Sequence, residues 1–342
     1  LIINGAMEVA QRGTSQSTSG TTVAYAVDRF FLSNPAGGQA QTGTQETNAP
    51  SGFYNSLKAN CTTANTSLTT GSSDQFKIEY RIEGLDLASI QFGTSSAQTL
   101  TVSFWVKSNK TGNSALALLN YSNNRSFVHQ YNIASADTWQ KVSFTVTGDT
   151  SGTWVKTNSV GMRLRWGSFG TNHQTTSFDA WQSGQFMATG NSPINFNSAT
   201  NDYLQITGVQ VERGNTATDF EHRGYGQELA LCQRYCYVWE SSVAYSNLGT
   251  GVQTDSSNVD ITITLPQVMR ASPSFSSSGS FRTVGYDSGS QTAQGLSSFS
   301  MTRSHPHTPY LRGGISGGTG GAVGELGDNG SNNAKAIFSA DL

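Results

Sequence analysis

Residues 75 to 212 alternate apolar and polar side chains with a period of two, run after run, and few folds accept that pattern. In "FKIEYRIEG", Phe76, Ile78, Tyr80 and Ile82 fall on one side, and Lys77, Glu79, Arg81 and Glu83 on the other. "TVSFWVKSN" sets Val102, Phe104 and Val106 against Trp105 and Lys107. "KVSFTVTG" repeats the device with Val142, Phe144 and Val146. "VGMRLRWG" opposes Val160, Met162, Leu164 and Trp166 to Arg163 and Arg165. "YLQITGVQVE" alternates as far as Gly208, where a bulge resets the register. Successive side chains of a strand point to opposite faces, so these runs predict antiparallel sheets with one buried and one wet side. Further strands are expected near 23–32, 53–60, 115–121 and 127–133. Some nine short strands over roughly 220 residues fit a two-sheet sandwich of jelly-roll type.

Composition narrows the surface. Only 12 % of the 342 residues are charged, about half the usual share of roughly 25 %. Gly, Ser, Thr, Asn and Gln take their place, which suits turns and an uncharged, hydrogen-bonding exterior. The net charge is -2 and no basic run occurs, so nucleic acid is not expected as a partner. No apolar stretch approaches the roughly 20 residues of a membrane helix, so membrane insertion is not expected either. The opening "LIINGAMEVAQRG" lacks the basic segment of a signal peptide and an initiator Met, which reads as a processed chain or part of a longer one.

One stretch breaks the strand pattern. "GYGQELALCQRYCYVWE", residues 224–240, reads as a helix. Tyr225, Leu229, Cys232 and Cys236 are spaced 4, 3 and 4 along it, and Leu231, Tyr235, Tyr237 and Trp239 widen the apolar surface. Cys232 and Cys236 read as buried thiols filling a helix face. The chain therefore divides into a β-sandwich over 1–222, a helical linker over 223–240 and a second β domain over 241–342. In that last part Val259, Ile261, Ile263 and Leu265 alternate with Asp260, Thr262 and Thr264. "SFRTVGY", "LSSFSMTRS" and "AKAIFSADL" read as further strands, and the Gly-rich run over 312–333 as exposed loop. No nucleophile elbow on a strand-to-helix turn and no H-E-x-x-H site is present, so no enzyme is expected.

Several segments carry a resemblance. "INGAMEVAQRGTS", "YAVDRFF", "VQVERGNTATDFEHRGYGQELALCQRYCY" and "LPQVMRASPSF" follow one another in a layout that resembles bacteriophage fibre and receptor-binding proteins. Its most specific part is the ordered set Glu212, Gly214, Ala217, Thr218, Phe220, Glu221, Arg223, Tyr225, Glu228, Leu229, Cys232, Arg234 and Tyr235. Cys236 stands where that layout has Tyr. The resemblance covers most of residues 1 to 265. It implies an all-β chain: an N-terminal jelly-roll sandwich like that of carbohydrate-binding modules, a short linking helix and a C-terminal β-sandwich tip. It further implies a homotrimer on the virion, joined to other virion proteins at its N-terminal side. Its role there would be non-catalytic adhesion to bacterial surface polysaccharide or lipopolysaccharide. A head-decorating or spacer fibre and a polysaccharide-degrading tailspike are the alternatives.

The resemblance also directs attention to particular residues. Leu229, Cys232, Tyr235, Cys236 and Trp239 are the expected trimer contacts. "NGAMEV" is similar to the start of jelly-roll carbohydrate-binding modules, in which a first-strand Glu and a late Asp help hold a structural calcium; Glu8 and Asp202 are the counterparts. No cofactor is otherwise required. His305 and His307 form a His-x-His pair. On one strand near a threefold axis, three such pairs supply six nitrogens to a transition metal, whereas Pro306 favours an exposed loop. For sugar, flat rings and planar polar groups are needed. Trp105, Lys107, Arg163 and Arg165 meet that need if their wet faces share one concave sheet. Lys77, Glu79 and Arg81 lie on a wet face that can join them. A loop over Trp105, with charges that only solvate the sheet, is the competing expectation.

Overall fold

The computed structural model describes residues 1–19, 22–33, 39–66, 75–287, 290–318 and 320–342. Its chain divides into two compact units, Leu1–Glu228 with Leu342, and Leu229–Asp341.

The first unit is a two-sheet β-sandwich of jelly-roll type. One sheet has six strands in the order Ser15–Ser19, Ala40–Glu46, Ser56–Thr63, Tyr203–Arg213, Leu100–Ser108 and Gln140–Val146. The other has seven: Trp181–Ser183, Arg125–Ile133, Gly112–Asn120, Val160–Phe169, Gln75–Glu83, Phe30–Ser33 and Val23–Val27. The inward residues of the alternating runs form one continuous core. Trp166 of the seven-stranded sheet meets Phe104 of the six-stranded sheet edge to face at 5.7 Å. Such a pair adds about 0.5–1.5 kcal/mol beyond the area it buries. The expected bulge is present: register shifts between Thr207 and Gln210, and Gly208 has φ 60°. Before it Leu204 and Ile206 face the core, and after it Val209 and Val211 do so.

Two strands of the six-stranded sheet lack an apolar alternation. Apart from Ala40 and Glu46, Ser15–Ser19 and Ala40–Glu46 are built from Ser, Thr, Gln and Gly, and Ser15–Ser19 pairs along its length with residues 40–44. Nothing periodic marks them in the sequence. Gly43 accounts for part of this, because a Cβ there would lie 2.6 Å from Leu32 Cδ1.

The second unit packs a three-stranded sheet (Cys236–Glu240, Lys335–Ser339, Ser274–Ser278) with a seven-stranded one. The larger sheet runs Ser290–Gly295, Phe281–Asp287, Val323–Asp328, Asn247–Gln253, Asn258–Thr262, Tyr310–Gly314 and Ser298–Arg303. Their core gathers Val259, Ile261, Leu311, Leu326 and Phe338.

Two expectations are corrected here. The helix spans Tyr225–Gln233 only, and Cys236–Glu240 is a strand paired with Lys335–Ser339. The run Cys-Tyr-Val-Trp is β-branched and aromatic, and the open partner strand outweighs the helical spacing of its apolar residues. The Gly-rich run is not all exposed loop. It contributes to Tyr310–Gly314 and Val323–Asp328, with Leu326 fully buried. Its glycines serve close approach: a Cβ on Gly327 would lie 2.0 Å from the Ser246 carbonyl oxygen. Thr319 of that run lies outside the described residues.

Candidate functional site

The strand Gln75–Glu83 sits between Val160–Phe169 and Phe30–Ser33 in the seven-stranded sheet of the first unit. Phe76, Ile78, Tyr80 and Ile82 enter the core, so Lys77, Glu79 and Arg81 stand on the outer face. Cross-strand register places Arg165 opposite Glu79 and Arg163 opposite Arg81. Four cations thereby converge on one carboxylate. Arg81 Nε lies 2.7 Å and Arg163 Nη1 2.8 Å from Glu79 Oε1; Arg165 Nε lies 2.9 Å and Lys77 Nζ 3.3 Å from Oε2.

Glu79 is fully buried although it faces outward. Burial pushes its carboxyl up, but Arg165, Lys77, Arg81 and Arg163 outweigh burial and hold it well below the usual carboxylate range. Burial, with Arg165 beside it, brings the Lys77 ammonium down to about 8. For Arg163, burial again lowers the guanidinium; Glu79 opposes this, while Arg81 and Arg165 add to it.

Part of this face is roofed. Phe169, Met187 and Ala188 pack on Ala115, Ala117, Leu119 and Val128 in a small second core outside the sheet. Arg165 lies beneath it, with Nη1 2.9 Å from Met187 Sδ. The rest forms a band of rings and guanidiniums. The Arg163 guanidinium lies 6.0 Å from the ring centre of half-exposed Tyr121, that of Arg81 4.5 Å from Phe31, and that of Arg12 4.5 Å from Tyr25. Phe31 and Tyr25 are themselves 5.5 Å apart. The Arg81 side chain is 25 % exposed and that of Arg163 12 %, so the band opens there. Arg81 also donates to the main-chain oxygen of Leu342.

The expected single platform is not formed. Trp105 and Lys107 stand on the outer face of the six-stranded sheet, whereas Arg163 and Arg165 stand on that of the seven-stranded sheet. The inward neighbours of both pairs share one core, so the two outer faces look away from each other. The outer face at Trp105 and Lys107 is covered by residues 47–55. Lys107 is buried and its Nζ donates to Asn48 Oδ1 at 2.6 Å, as does Trp139 Nε1 at 3.1 Å. Gln205 and Ser56 hold the Asn48 carbonyl at 3.1 and 2.6 Å. A Cβ on Gly208 would lie 2.6 Å from the Phe53 ring and 3.0 Å from Trp105, which shows how closely the covering segment packs there.

The metal candidates do not assemble. Asp202 is buried and its carboxylate is engaged by Lys110 at 3.1 Å, Ser198 Oγ at 2.7 Å and Ala199 N at 2.8 Å. Its carbonyl accepts from Cys61 N, while the Glu8 carbonyl accepts from Gln45, which pairs with Leu57. Leu57 and Cys61 are about 13 Å apart along their strand. Among the described residues no group of three His, Cys, Asp or Glu side chains is placed to hold a metal. His305 and His307 lie in the loop between Ser298–Arg303 and Tyr310–Gly314, not on a strand. His305 Nδ1 accepts from Thr308 N at 3.1 Å and so closes its own turn.

Of the residues expected at a trimer contact, Cys232, Tyr235 and Cys236 are buried within the chain itself. Leu229 and Trp239 remain partly exposed, the first on the helix and the second on the strand.

The resemblance residues of the first unit line a cavity of about 450 Å³ with Glu8, Val209, Glu212, Phe220, Glu221 and Glu228 among its walls. Its acids are largely engaged. Glu228 accepts from Asn4 N and meets Arg223 at 3.2 Å, and Glu212 accepts from the Thr218 amide at 3.2 Å.

No family model matches this sequence, and no curated protein matches it. Among solved structures, the tailspike protein 4 enzymatically active domain of bacteriophage CBA120 overlaps 62 % of this chain at 12 % identity and a TM-score of 0.31. That overlap spans only 21 % of the tailspike chain. A CBM4 structure overlaps 63 % of this chain and 100 % of its own, at 12 % identity and a TM-score of 0.31. The CBM22-1-CBM22-2 tandem domain of Paenibacillus barcinonensis Xyn10C overlaps 100 % of this chain and 97 % of its own, at 9 % identity and a TM-score of 0.30. Overlaps this loose say nothing of what this chain binds; its fold rests on its own strand order.

Sequence reasoning had Arg163, Arg165, Lys77, Glu79 and Arg81 in view but missed Tyr121, Phe31, Tyr25 and Arg12. Phe31 and Tyr25 sit in short strands where both faces carry apolar residues, so alternation does not separate outward rings from inward ones. Tyr121 follows the last residue of its strand.

Proposed function

We propose that this chain is a virion-exposed phage fibre protein that adheres to host cell-surface glycan during adsorption and acts without catalysis, as a homotrimer. The observation that carries the reading is the band of rings and guanidiniums on the outer face of the seven-stranded sheet. Of its rings, half-exposed Tyr121 and partly exposed Tyr25 offer flat apolar area to a pyranose face, and the guanidiniums offer paired donors to its oxygens. The segment from Val209 to Tyr237 supports the phage setting through its resemblance to fibre proteins. Single weak sugar sites gain from trimeric presentation, with avidity up to about 10²–10⁴-fold above one site.

The test is saturable binding of the labelled, purified chain to bacterial cells, with competition against phage adsorption and an assay for released reducing ends. Binding that blocks adsorption and releases no sugar is expected. Sugar release instead makes the protein a polysaccharide-degrading tailspike. A folded chain that binds no cells is a decoration or spacer fibre. Sedimentation at micromolar concentration checks the trimer, and a monomer there removes it.

A further inference from the structure

The cluster around Glu79 carries more positive charge than its own carboxylate balances. Arg81, Arg163, Arg165 and Lys77 all reach the same two oxygens. Arg81 and Arg163 occupy directly opposed positions on neighbouring strands, and like charges in that relation destabilise a sheet. One guanidinium would suffice to tie the two strands through Glu79. A second, partly exposed one also bonds Glu79, at the cost of facing a like charge across the strands. Departures of this kind collect where a protein meets a ligand. The charged groups acting most strongly on Arg163 are Glu79, Arg81 and Arg165, and on Lys77 they are Arg165, Glu79 and Arg81. Glu83 stands on the same strand and face, paired in register with Val160.

Building on the glycan reading, we propose that the rim formed by Arg81, Arg163 and Tyr121 binds a saccharide through an anionic substituent: a carboxylate, sulfate or phosphate. A guanidinium presents a planar fork that matches each of these groups, and the charge makes the hydrogen bonds roughly twice as strong as neutral ones. The buried pair, Arg165 and Lys77, stays with Glu79 and keeps the two rim arginines in place. Half-exposed Tyr121 supplies apolar area for the ring that bears the anion, and buried Phe31 backs the Arg81 guanidinium from below. The main-chain oxygen of Leu342 on Arg81 lies where the anion would bind, so removing Leu342 should leave binding equal or tighter.

The experiment uses the full chain and matched probe pairs. Oligogalacturonate and its methyl ester test the carboxylate, sulfated and plain dextran oligomers the sulfate, and phosphorylated and plain mannose oligomers the phosphate. At least one acidic probe should bind about tenfold or more tightly than its neutral partner, and raising NaCl from about 50 to about 500 mM should erase most of that difference. Arg163→Gln and Arg81→Gln should weaken the acidic probe about tenfold or more and leave its neutral partner unchanged. Both arginines hold Glu79, so thermal unfolding is followed in parallel. Tyr121→Ala, at an exposed position, is the variant that keeps the fold and should cost about threefold on both partners of the pair. Neutral partners that bind as tightly as acidic ones overturn the inference and leave glycan adhesion standing. The inference also falls if no acidic probe binds, or if acid binding is lost when Leu342 is removed. Adhesion itself is decided separately by the cell-binding assay.

Discussion

The two outer faces of the first unit arise from the same sequence pattern and end in opposite states. Trp105 and Lys107 alternate with core residues just as Arg163 and Arg165 do. Yet the six-stranded face is closed over them by residues 47–55, where Asn48 takes the Lys107 ammonium as a neutral partner. The seven-stranded face gathers four cations on Glu79 and stays partly open at Arg81 and Arg163. A buried lysine with one amide oxygen is a packing device. A buried carboxylate under a surplus of cations is an electrostatic one, and it leaves charge to spare. The lesson is that an outward charge on a strand is defined by what the neighbouring strand and the overlying loop bring to it.

Removing the hub of one face should separate the two faces most. Glu79→Gln leaves Arg165 and Lys77 buried without their counter-charge, and should cost about 3–5 kcal/mol in denaturant unfolding or prevent folding. A loss under about 1 kcal/mol would mean that the cations find solvent and that the hub is not buried in solution.

A second effect is pH-dependent and belongs to the same face. The Lys77 ammonium titrates at about 8 when folded, against an ordinary value of 10.5. Below about 8 both states are protonated. Between the two values the folded state gives up its proton first and the unfolded state holds more. Stability contributed by this group therefore rises with pH across that window, by at most about 1.4 kcal/mol per unit. Glu79 contributes with the same sign at the acid end: its folded carboxyl lies below the ordinary 4.5, so its contribution is present above that value and is lost as the medium is acidified through the folded value. Unfolding curves from pH 7.5 to 10.5 for the parent and Lys77→Met should converge in slope only if this assignment is wrong.

On the closed face, Gly208→Val tests the packing of the covering segment. Its backbone is left-handed at φ 60°, and the added Cβ would meet Phe53 at 2.6 Å. A loss of about 1–3 kcal/mol is expected in thermal or denaturant unfolding. The smallest effect is Lys107→Met, which removes one hydrogen bond and an ammonium 5.1 Å from the Trp139 ring centre and keeps the apolar stem. It should cost about 0.5–1.5 kcal/mol, several times less than Glu79→Gln. Equal losses at Lys107 and Glu79 would erase the distinction between the two faces.

Much of the first unit was legible because its signal is local. Phe76 to Ile82, Val102 to Val106 and Met162 to Trp166 announce their buried side by period alone, and Gly208 announces the bulge. The polar strands Ser15–Ser19 and Ala40–Glu46 carry no such signal, because the first is largely exposed and the second has no large apolar residue to bury. Gly313 and Gly327 look like loop residues; they are strand residues where Leu296 and Ser246 approach too closely for a side chain. Cys236–Glu240 has apolar residues at helical spacing and still pairs as a strand with Lys335–Ser339, about a hundred residues on.

The same limit applies to the candidate site. From the sequence alone, Lys77, Glu79 and Arg81 share one face of a strand, Arg163 and Arg165 share one face of another, and Trp105 and Lys107 share one face of a third. Period two reports the face of a residue and is silent on which strand lies beside it, since pairing is decided by contacts far apart in the chain. Only the tertiary structure set Val160–Phe169 against Gln75–Glu83, and so placed Arg163 and Arg165 on Glu79. Only it put Trp105 and Lys107 on the opposite sheet. An electrostatic cluster needs charges within a few ångströms of one another, and that separation is a property of the packed sheets and not of any one strand.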